Sequence, residues 1–289
     1  MTKKRILPFL LINFGLVWSM TLLYLWTGGT YETYAMQCIL TFSMLCPAIA
    51  VVITRKVTGE GLAVTGKGSL LLGMNLKGKK WLWYVAAVVL PFIYFDLGLL
   101  LFNMVFPGAL DAGRLQTLPL PGNSVYLMPF AVISNAVIYS FGALGEEIGW
   151  RTYLYPKLEE LYGTGKSVLF GGIIWGVWHD PALLLGHNFG HGYRGEPWTG
   201  FLVFTLFTTM MGAILFYVTK KTDSVWPATF LHAVNNAVAG GSILMLMYSE
   251  EKLTGLALQS PVRLLIWFFP ALVLGGILLG KLWKEKASS

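Results

Sequence analysis

Charged residues are scarce in this chain. Only 12% of its 289 residues are charged and 55% are hydrophobic, whereas an average soluble domain has roughly 25% charged residues. So few charges cannot keep one or two soluble domains in water, and this apolar composition also excludes disorder and collagen. Cysteine is scarce too: Cys38 and Cys46 are the two cysteines, and they exclude a disulfide scaffold. The chain instead contains repeated apolar runs of about 20 residues, which are typical of a membrane protein.

The apolar runs predict an all-α, polytopic membrane protein with about eight transmembrane helices. In lipid each run must be helical, because no water is present to satisfy an open backbone. The runs fall at residues 6–27, 35–54, 81–105, 127–150, 167–185, 199–218, 225–248 and 262–282. Because they extend along the whole chain, we expect a single integral-membrane domain over residues 1–289.

Lysine and arginine are distributed unevenly between the two sides of this predicted topology. Most of the 21 basic residues lie on one side of the membrane in this topology. The exceptions, on the opposite side, are Arg114, Arg194, Lys252 and Arg263. Cytoplasmic loops carry an excess of basic residues, so we expect both termini to be cytoplasmic. The net charge of +7 is therefore explained by topology in a lipid bilayer, and we expect no nucleic-acid partner.

Few ionisable side chains lie inside the apolar runs. Burial of an ionisable side chain in the bilayer costs free energy. Such a residue therefore indicates a functional site unless a nearby partner explains its presence. Most come in spaced sets: Glu146, Glu147 and Arg151 in and after the fourth run, His179 and Asp180 in the fifth, and His232 with Asn235 and Asn236 in the seventh. Asp96 stands alone in the third run, where a hydrogen bond to a neighbouring helix is the simpler interpretation.

Helical spacing relates the members of these sets. Glu147 and Arg151 are four residues apart on one face, so we expect them to pair. Glu146 is rotated by about 100° and is left for chemistry, although a salt bridge at the helix end explains the same residues equally well. His232 and Asn236 are also four residues apart. Together with His179 on a third helix, these side chains supply the base and the oxyanion donors that peptide hydrolysis needs.

Two glycine pairs flank the polar sets. Gly145 and Gly149 lie beside the glutamates, and Gly172 and Gly176 precede His179. Small residues at this spacing let the backbones of membrane helices approach closely. We therefore expect the helices that carry the polar residues to be tightly packed.

Three motifs in this chain resemble those of the CAAX-type intramembrane endopeptidases, also called the CPBP or Abi family. The E-E-x-x-x-R motif is met in full, the aromatic four residues before a histidine is tryptophan where phenylalanine is usual, and H-x-x-x-N is also met. The matching residues are Glu146, Glu147 and Arg151, then Trp175 and His179, then His232 and Asn236. The motifs cover roughly residues 140–240, in the family's order and each on its own helix.

The resemblance implies a glutamate-dependent protease that needs no cofactor. In that mechanism Glu146 and His179 activate water, whereas His232 and Asn236 form the oxyanion site. The catalytic core would occupy about residues 127–248.

The resemblance also implies supporting, substrate-positioning residues. Glu147 and Arg151 would position Glu146 and hold the substrate. Trp175 would be an aromatic wall, so that tryptophan in place of phenylalanine should leave the chemistry intact. The partner would be a membrane-associated protein or peptide, prenylated or not. Because the chain has no N-x-S/T sequon, a prokaryotic plasma membrane is favoured; the oligomeric state is left open.

Two other interpretations of the same residues remain. Two histidines and a glutamate are also a known catalytic zinc set, although no H-E-x-x-H is present. A non-catalytic bacteriocin-immunity or transport-type protein would use the buried acidic and histidine residues as a proton relay or to bind a peptide. His187 and His191, in a glycine-rich loop, are interpreted as polar loop residues.

Overall fold

The computed structural model of the protein describes residues 2–66, 68–114, 127–248 and 260–285. Within these ranges the chain is helical and has no strand, apart from an isolated bridge between Leu110 and Tyr248. The predicted all-α fold class is therefore confirmed.

The α-helices are numbered here in chain order. They are α1 (Lys3–Trp26), α2 (Tyr34–Thr58), α3 (Trp81–Val105), α4 (Met128–Gly149), α5 (Tyr155–Tyr162), α6 (Thr164–Trp178), α7 (Asp180–Leu184), α8 (Trp198–Thr222), α9 (Trp226–Gly241), α10 (Ile243–Met247) and α11 (Leu264–Lys284). A π-helical turn, Trp150–Leu154, joins α4 to α5 without a break, and a 3₁₀ turn, Pro261–Arg263, precedes α11.

Seven helical segments of the described chain are long and apolar enough to cross a membrane. They coincide with seven of the eight predicted runs, which confirms a polytopic membrane protein. The fifth run, residues 167–185, was wrongly predicted as one continuous span. It forms the 15-residue helix α6 and the 5-residue helix α7, which meet at His179. The break has a local cause, because Pro181 has no N–H to continue the helical hydrogen bonds.

Helices α6 and α7 nevertheless carry the chain from one end of the bundle to the other. At the start of α6, Thr164 donates a hydrogen bond to Glu159 in α5. Just after α7, His187 forms a hydrogen bond with Tyr31 in the loop that follows α1. Helices α6 and α7 thus connect the two ends of the bundle, although they are not among the seven described segments that are long and apolar enough to cross a membrane.

Both ends of the described chain lie at the same end of the bundle. Thr2 donates a hydrogen bond to Glu160, and Lys220 pairs with Glu159 at 2.7 Å and with Glu285 at 3.1 Å. These contacts bring together the beginning of α1 and the ends of α5, α8 and α11. That this end faces the cytoplasm stays a prediction from the charge distribution.

The glycine pairs lie where helices pack most closely. Gly145 and Gly149 contact α2, and a Cβ atom on Gly149 would lie 2.2 Å from the Cβ of Pro47. Gly172 and Gly176 contact α8, and a Cβ atom on Gly172 would lie 2.4 Å from its backbone. The predicted close approach is therefore confirmed, and it places α4 and α6 firmly in the bundle.

Candidate active site

The residues of the three motifs converge on Trp175, near the end of α6. The indole Nε1 of Trp175 donates to Oε2 of Glu146 at 2.8 Å. The backbone carbonyl of Trp175 accepts a hydrogen bond from Nδ1 of His179 at 2.8 Å. The indole ring of Trp175 lies edge-on to the imidazole ring of His232, with centroids 5.5 Å apart. Residues from α4, α6 and α9 thus meet inside the bundle.

The predicted pair between Glu147 and Arg151 is present and completely buried. Nε of Arg151 lies 3.0 Å from Oε2 of Glu147, and both side chains are 0% exposed. The guanidinium group also lies over the ring of Trp175, 4.1 Å from its centroid, and 5.3 Å from that of Tyr155. Such cation–π contacts help to compensate the charge of an arginine that is removed from water.

The second oxygen of Glu147 contacts His232. Oε1 of Glu147 lies 2.8 Å from Nδ1 of His232. Because the other oxygen of this carboxylate faces Arg151, Oε1 acts as the acceptor, so Nδ1 of His232 donates the hydrogen bond and carries the proton. This leaves Nε2 of His232 as the ring nitrogen available to a substrate, and it leaves neither oxygen of Glu147 available as a base.

The orientation of His179 follows from the same reasoning. Its Nδ1 lies 2.8 Å from the carbonyl oxygen of Trp175, which can only accept, so Nδ1 carries the proton. In the neutral ring, Nε2 therefore holds the lone pair and can accept a proton. The rings of Trp178 and Phe204, with centroids 4.7 Å and 4.8 Å from that of His179, enclose the imidazole.

Glu146 is buried but is not part of an ion pair with Arg151. Its side chain receives two hydrogen bonds on one oxygen, Oε2: one from Nε1 of Trp175 at 2.8 Å and one from Nε1 of Trp150 at 3.3 Å. Among the residues that the structure describes, Oε1 has no hydrogen-bond partner. The expectation that Glu146 is left for chemistry thus applies to one of its two oxygens.

Asn236 lies one helical turn after His232 on α9, and it is exposed. Its Oδ1 accepts a hydrogen bond from Nδ2 of Asn235 at 3.3 Å, while Oδ1 of Asn235 accepts one from the buried hydroxyl of Tyr94 at 2.7 Å. This arrangement orients the amide of Asn236 and leaves its N–H₂ group as a donor.

Trp150 and Tyr94 also contact the site, although neither was predicted as a site residue. The spacing of Trp150 was a usable signal, because it follows Glu146 by four residues and so shares its helix face. No comparable signal marks Tyr94, because it lies on α3 and is 141 residues away in the sequence from its partner Asn235.

The other polar residues singled out in the sequence lie outside this cluster. Asp96 lies on α3, where its Oδ1 is buried without a hydrogen-bond partner among the described residues, so the simpler interpretation of that residue stays a prediction. His191 pairs with Glu196 inside the loop between α7 and α8, and burial lowers the pKa of His187 to about 4. Within the described ranges, no group of three or more His, Cys, Asp or Glu residues is arranged to hold a metal ion.

Part of the chain is similar to known proteins. Residues 122–238 match the family described as Type II CAAX prenyl endopeptidase Rce1-like, and this segment contains all three motifs. The chain is also similar to "CAAX prenyl protease 2" of Methanococcus maripaludis, with 30% identity over 93 residues, which are 32% of this chain and 34% of that protein. The chain thus aligns with about a third of the length of this curated relative. The family resemblance predicted from the motifs is confirmed over this segment.

Proposed function

We propose that this protein is an integral-membrane endopeptidase that hydrolyses a peptide bond of a membrane-associated protein or peptide. One observation carries the proposal: Glu146, His179 and His232 meet around Trp175 inside a bundle of apolar helices. The match of residues 122–238 to a CAAX prenyl endopeptidase family supports the same class of reaction.

In this proposal Glu146 and His179 activate the attacking water. Oε1 of Glu146 and Nε2 of His179 are the acceptors that can hold the water and take its proton. The water oxygen forms a bond with the carbonyl carbon of the substrate, and the proton passes to Glu146. When the C–N bond breaks, the same proton moves to the departing amine nitrogen.

His232 and Asn236 would stabilise the oxyanion of the tetrahedral intermediate. With a proton on Nε2 in addition to the one on Nδ1, His232 would be a donor beside the N–H₂ group of Asn236 on one side of α9, and preorganised donors of this kind contribute most where water is excluded. Glu147 fixes the orientation of the His232 ring, since its carboxylate accepts the hydrogen bond from Nδ1. Arg151 in turn compensates the charge of Glu147.

No step of this proposal involves a metal ion. The oxygens of Glu147 face Arg151 and His232, and Oε2 of Glu146 faces two indole N–H groups, so these oxygens are not offered to zinc. Oε1 of Glu146 and the Nε2 atoms of the two histidines remain, but no group of three or more His, Cys, Asp or Glu residues within the described ranges is arranged to hold a metal ion, which favours a glutamate-type mechanism without a cofactor.

The substrate and the location are part of the proposal. The name of the relative, CAAX prenyl protease 2, refers to prenylated CAAX substrates, so prenylated C-terminal peptides are the first substrates to test, beside plain ones. We place the protein in a prokaryotic plasma membrane with both termini in the cytoplasm, because the basic residues cluster on that side of the predicted topology.

The test uses purified protein in detergent with a quenched library of C-terminal peptides, prenylated and plain. The wild type should cleave a member of the library, and Glu146→Gln should not. Asp96→Asn is the matched control, because it replaces another ionisable carboxyl group of the apolar helices, one outside the motifs, by a neutral amide. A loss of function in Asp96→Asn equal to that in Glu146→Gln would favour the proton-relay interpretation, and cleavage by Glu146→Gln at the wild-type rate would contradict the proposal.

A further inference from the structure

We propose that Trp150 and Trp175 are positioning residues that hold the carboxylate of Glu146 in the orientation needed to activate water. The role of Trp175 would then exceed that of an aromatic wall. The catalytic consequence of this inference rests on the proposed function, whereas the hydrogen bonds themselves can be tested without any activity.

The two indoles reach the same oxygen of Glu146 from different directions. Trp150 lies four residues after Glu146 on the same continuous helix, and Trp175 comes from α6, across the helix interface. Both rings are buried, at 0% and 5% exposed, and Trp150 packs edge-on against Phe9 and Trp178. Because neither ring has room to turn, the carboxylate is held between two fixed donors.

The indole N–H group suits this task chemically. It donates one hydrogen bond, accepts none and does not take up a proton near neutral pH. It therefore cannot compete with the glutamate for the proton of the water. Since both donors bind Oε2, the other oxygen is directed away from them. Phenylalanine at position 175 would keep an aromatic ring but remove the donor.

Trp175 also links the two glutamates without a direct contact between them. Its edge donates to Glu146, while its face carries the guanidinium of Arg151, which pairs with Glu147. A cation over the ring withdraws electron density from the indole and so strengthens its N–H as a donor. The same side chain therefore aligns the base and the ion pair beside it.

Substitution by phenylalanine removes each donor and keeps an aromatic ring. Trp175→Phe should lower kcat by about 10- to 100-fold with little change in KM, since small misplacements of a catalytic group have effects of this order. Trp150→Phe should have a smaller effect, because its bond is longer. Trp267→Phe is the matched control: Trp267 is also buried, but its Nε1 has no hydrogen-bond partner among the described residues, so kcat should not change.

A second measurement tests the bonds themselves. The chain has 11 tryptophans, and ¹⁵N labelling of the indoles gives one N–H resonance for each. The Trp150 and Trp175 signals are assigned by their loss in the phenylalanine variants. Both should shift in Glu146→Ala, whereas the Trp267 signal should not.

The two measurements separate this inference from the proposed function. If both indole signals shift in Glu146→Ala but the wild type cleaves no peptide, the contact is supported and the proposed function fails. If cleavage depends on Glu146 while the indole signals do not respond to its removal, or if Trp175→Phe keeps the full kcat, the positioning role is overturned.

Discussion

Nδ1 of His232 lies 2.8 Å from Oε1 of Glu147, while the other oxygen of that carboxylate faces Nε of Arg151 at 3.0 Å. One buried carboxylate thus connects a helix that carries an imidazole with the π-helical turn that carries the arginine. Glu147 is therefore a structural and electrostatic centre of the cluster, whereas Glu146, next to it in the chain, keeps one oxygen without a hydrogen-bond partner among the described residues.

Glu147→Gln should lower the free energy of unfolding by about 3–5 kcal/mol, because it leaves the buried Arg151 without a compensating charge. The matched control is Glu159→Gln, which breaks the partly exposed pair with Lys220 and should cost at most about 1 kcal/mol. Chemical denaturation in detergent, followed by tryptophan fluorescence, measures both. Equal losses in the two variants would contradict the central position of Glu147.

Glu146→Gln should reduce peptide cleavage by about 1,000-fold or more while leaving the unfolding transition near that of the wild type. The amide keeps the size of the carboxylate and still offers an oxygen to the two indoles, but it cannot take a proton from water. Cleavage rates and thermal unfolding of the same preparations test this. A variant that is as active as the wild type would show that another group is the base.

Gly149→Ala should destabilise the protein, because the new Cβ would lie 2.2 Å from the Cβ of Pro47 and would push α4 away from α2. Overpacking of this kind typically costs about 1–3 kcal/mol. Gly276→Ala is the control, since its Cβ would meet no atom within 4 Å in the described structure. The difference between the unfolding midpoints of the two variants is the measurement, and no difference would argue against a close contact at Gly149.

Stability should fall as the pH decreases from about 6.5 to about 4 because of His187. Burial lowers the pKa of His187 to about 4 in the folded protein, below its usual value of 6.5. In this window the unfolded chain binds a proton that the folded protein does not, so acid favours unfolding; above it the contribution is fully present. The titratable neighbours of His187 are Tyr31 and His179.

The variant His187→Gln tests this by removing the titration while keeping a hydrogen-bonding side chain beside Tyr31. Its unfolding temperature should decrease less than that of the wild type between pH 7.5 and pH 4.5. His191→Gln, in an exposed part of the same loop, should behave like the wild type. If His187→Gln and the wild type respond identically to pH, the low pKa is wrong.

Cleavage should survive treatment with a strong chelator, because the proposed mechanism takes its base and its oxyanion donors from side chains alone. The rate after chelation and dialysis should stay within about twofold of the untreated protein, a difference below 0.5 kcal/mol in the activation free energy. Loss of cleavage that zinc restores would instead support the zinc enzyme.

The features that could be predicted from the sequence are those that depend on residues close together in the chain. The apolar runs predicted the membrane helices, since their length follows from the thickness of a bilayer. The pairing of Glu147 with Arg151 was predicted because residues four apart share a helix face. The break at His179 was missed, because hydropathy continues through Pro181 while the backbone hydrogen bonds do not.

The sequence by itself determined which chemical groups are present, on which helices they lie, and which family the segment resembles. Only the tertiary structure decided that Trp175 donates to Glu146, 29 positions away, and that Glu147 contacts His232, 85 positions away. Contacts of this kind depend on how whole helices pack, and in lipid that packing is set by close van der Waals contact and interhelical hydrogen bonds. Spacing along one helix carries no information about which partner faces it from another.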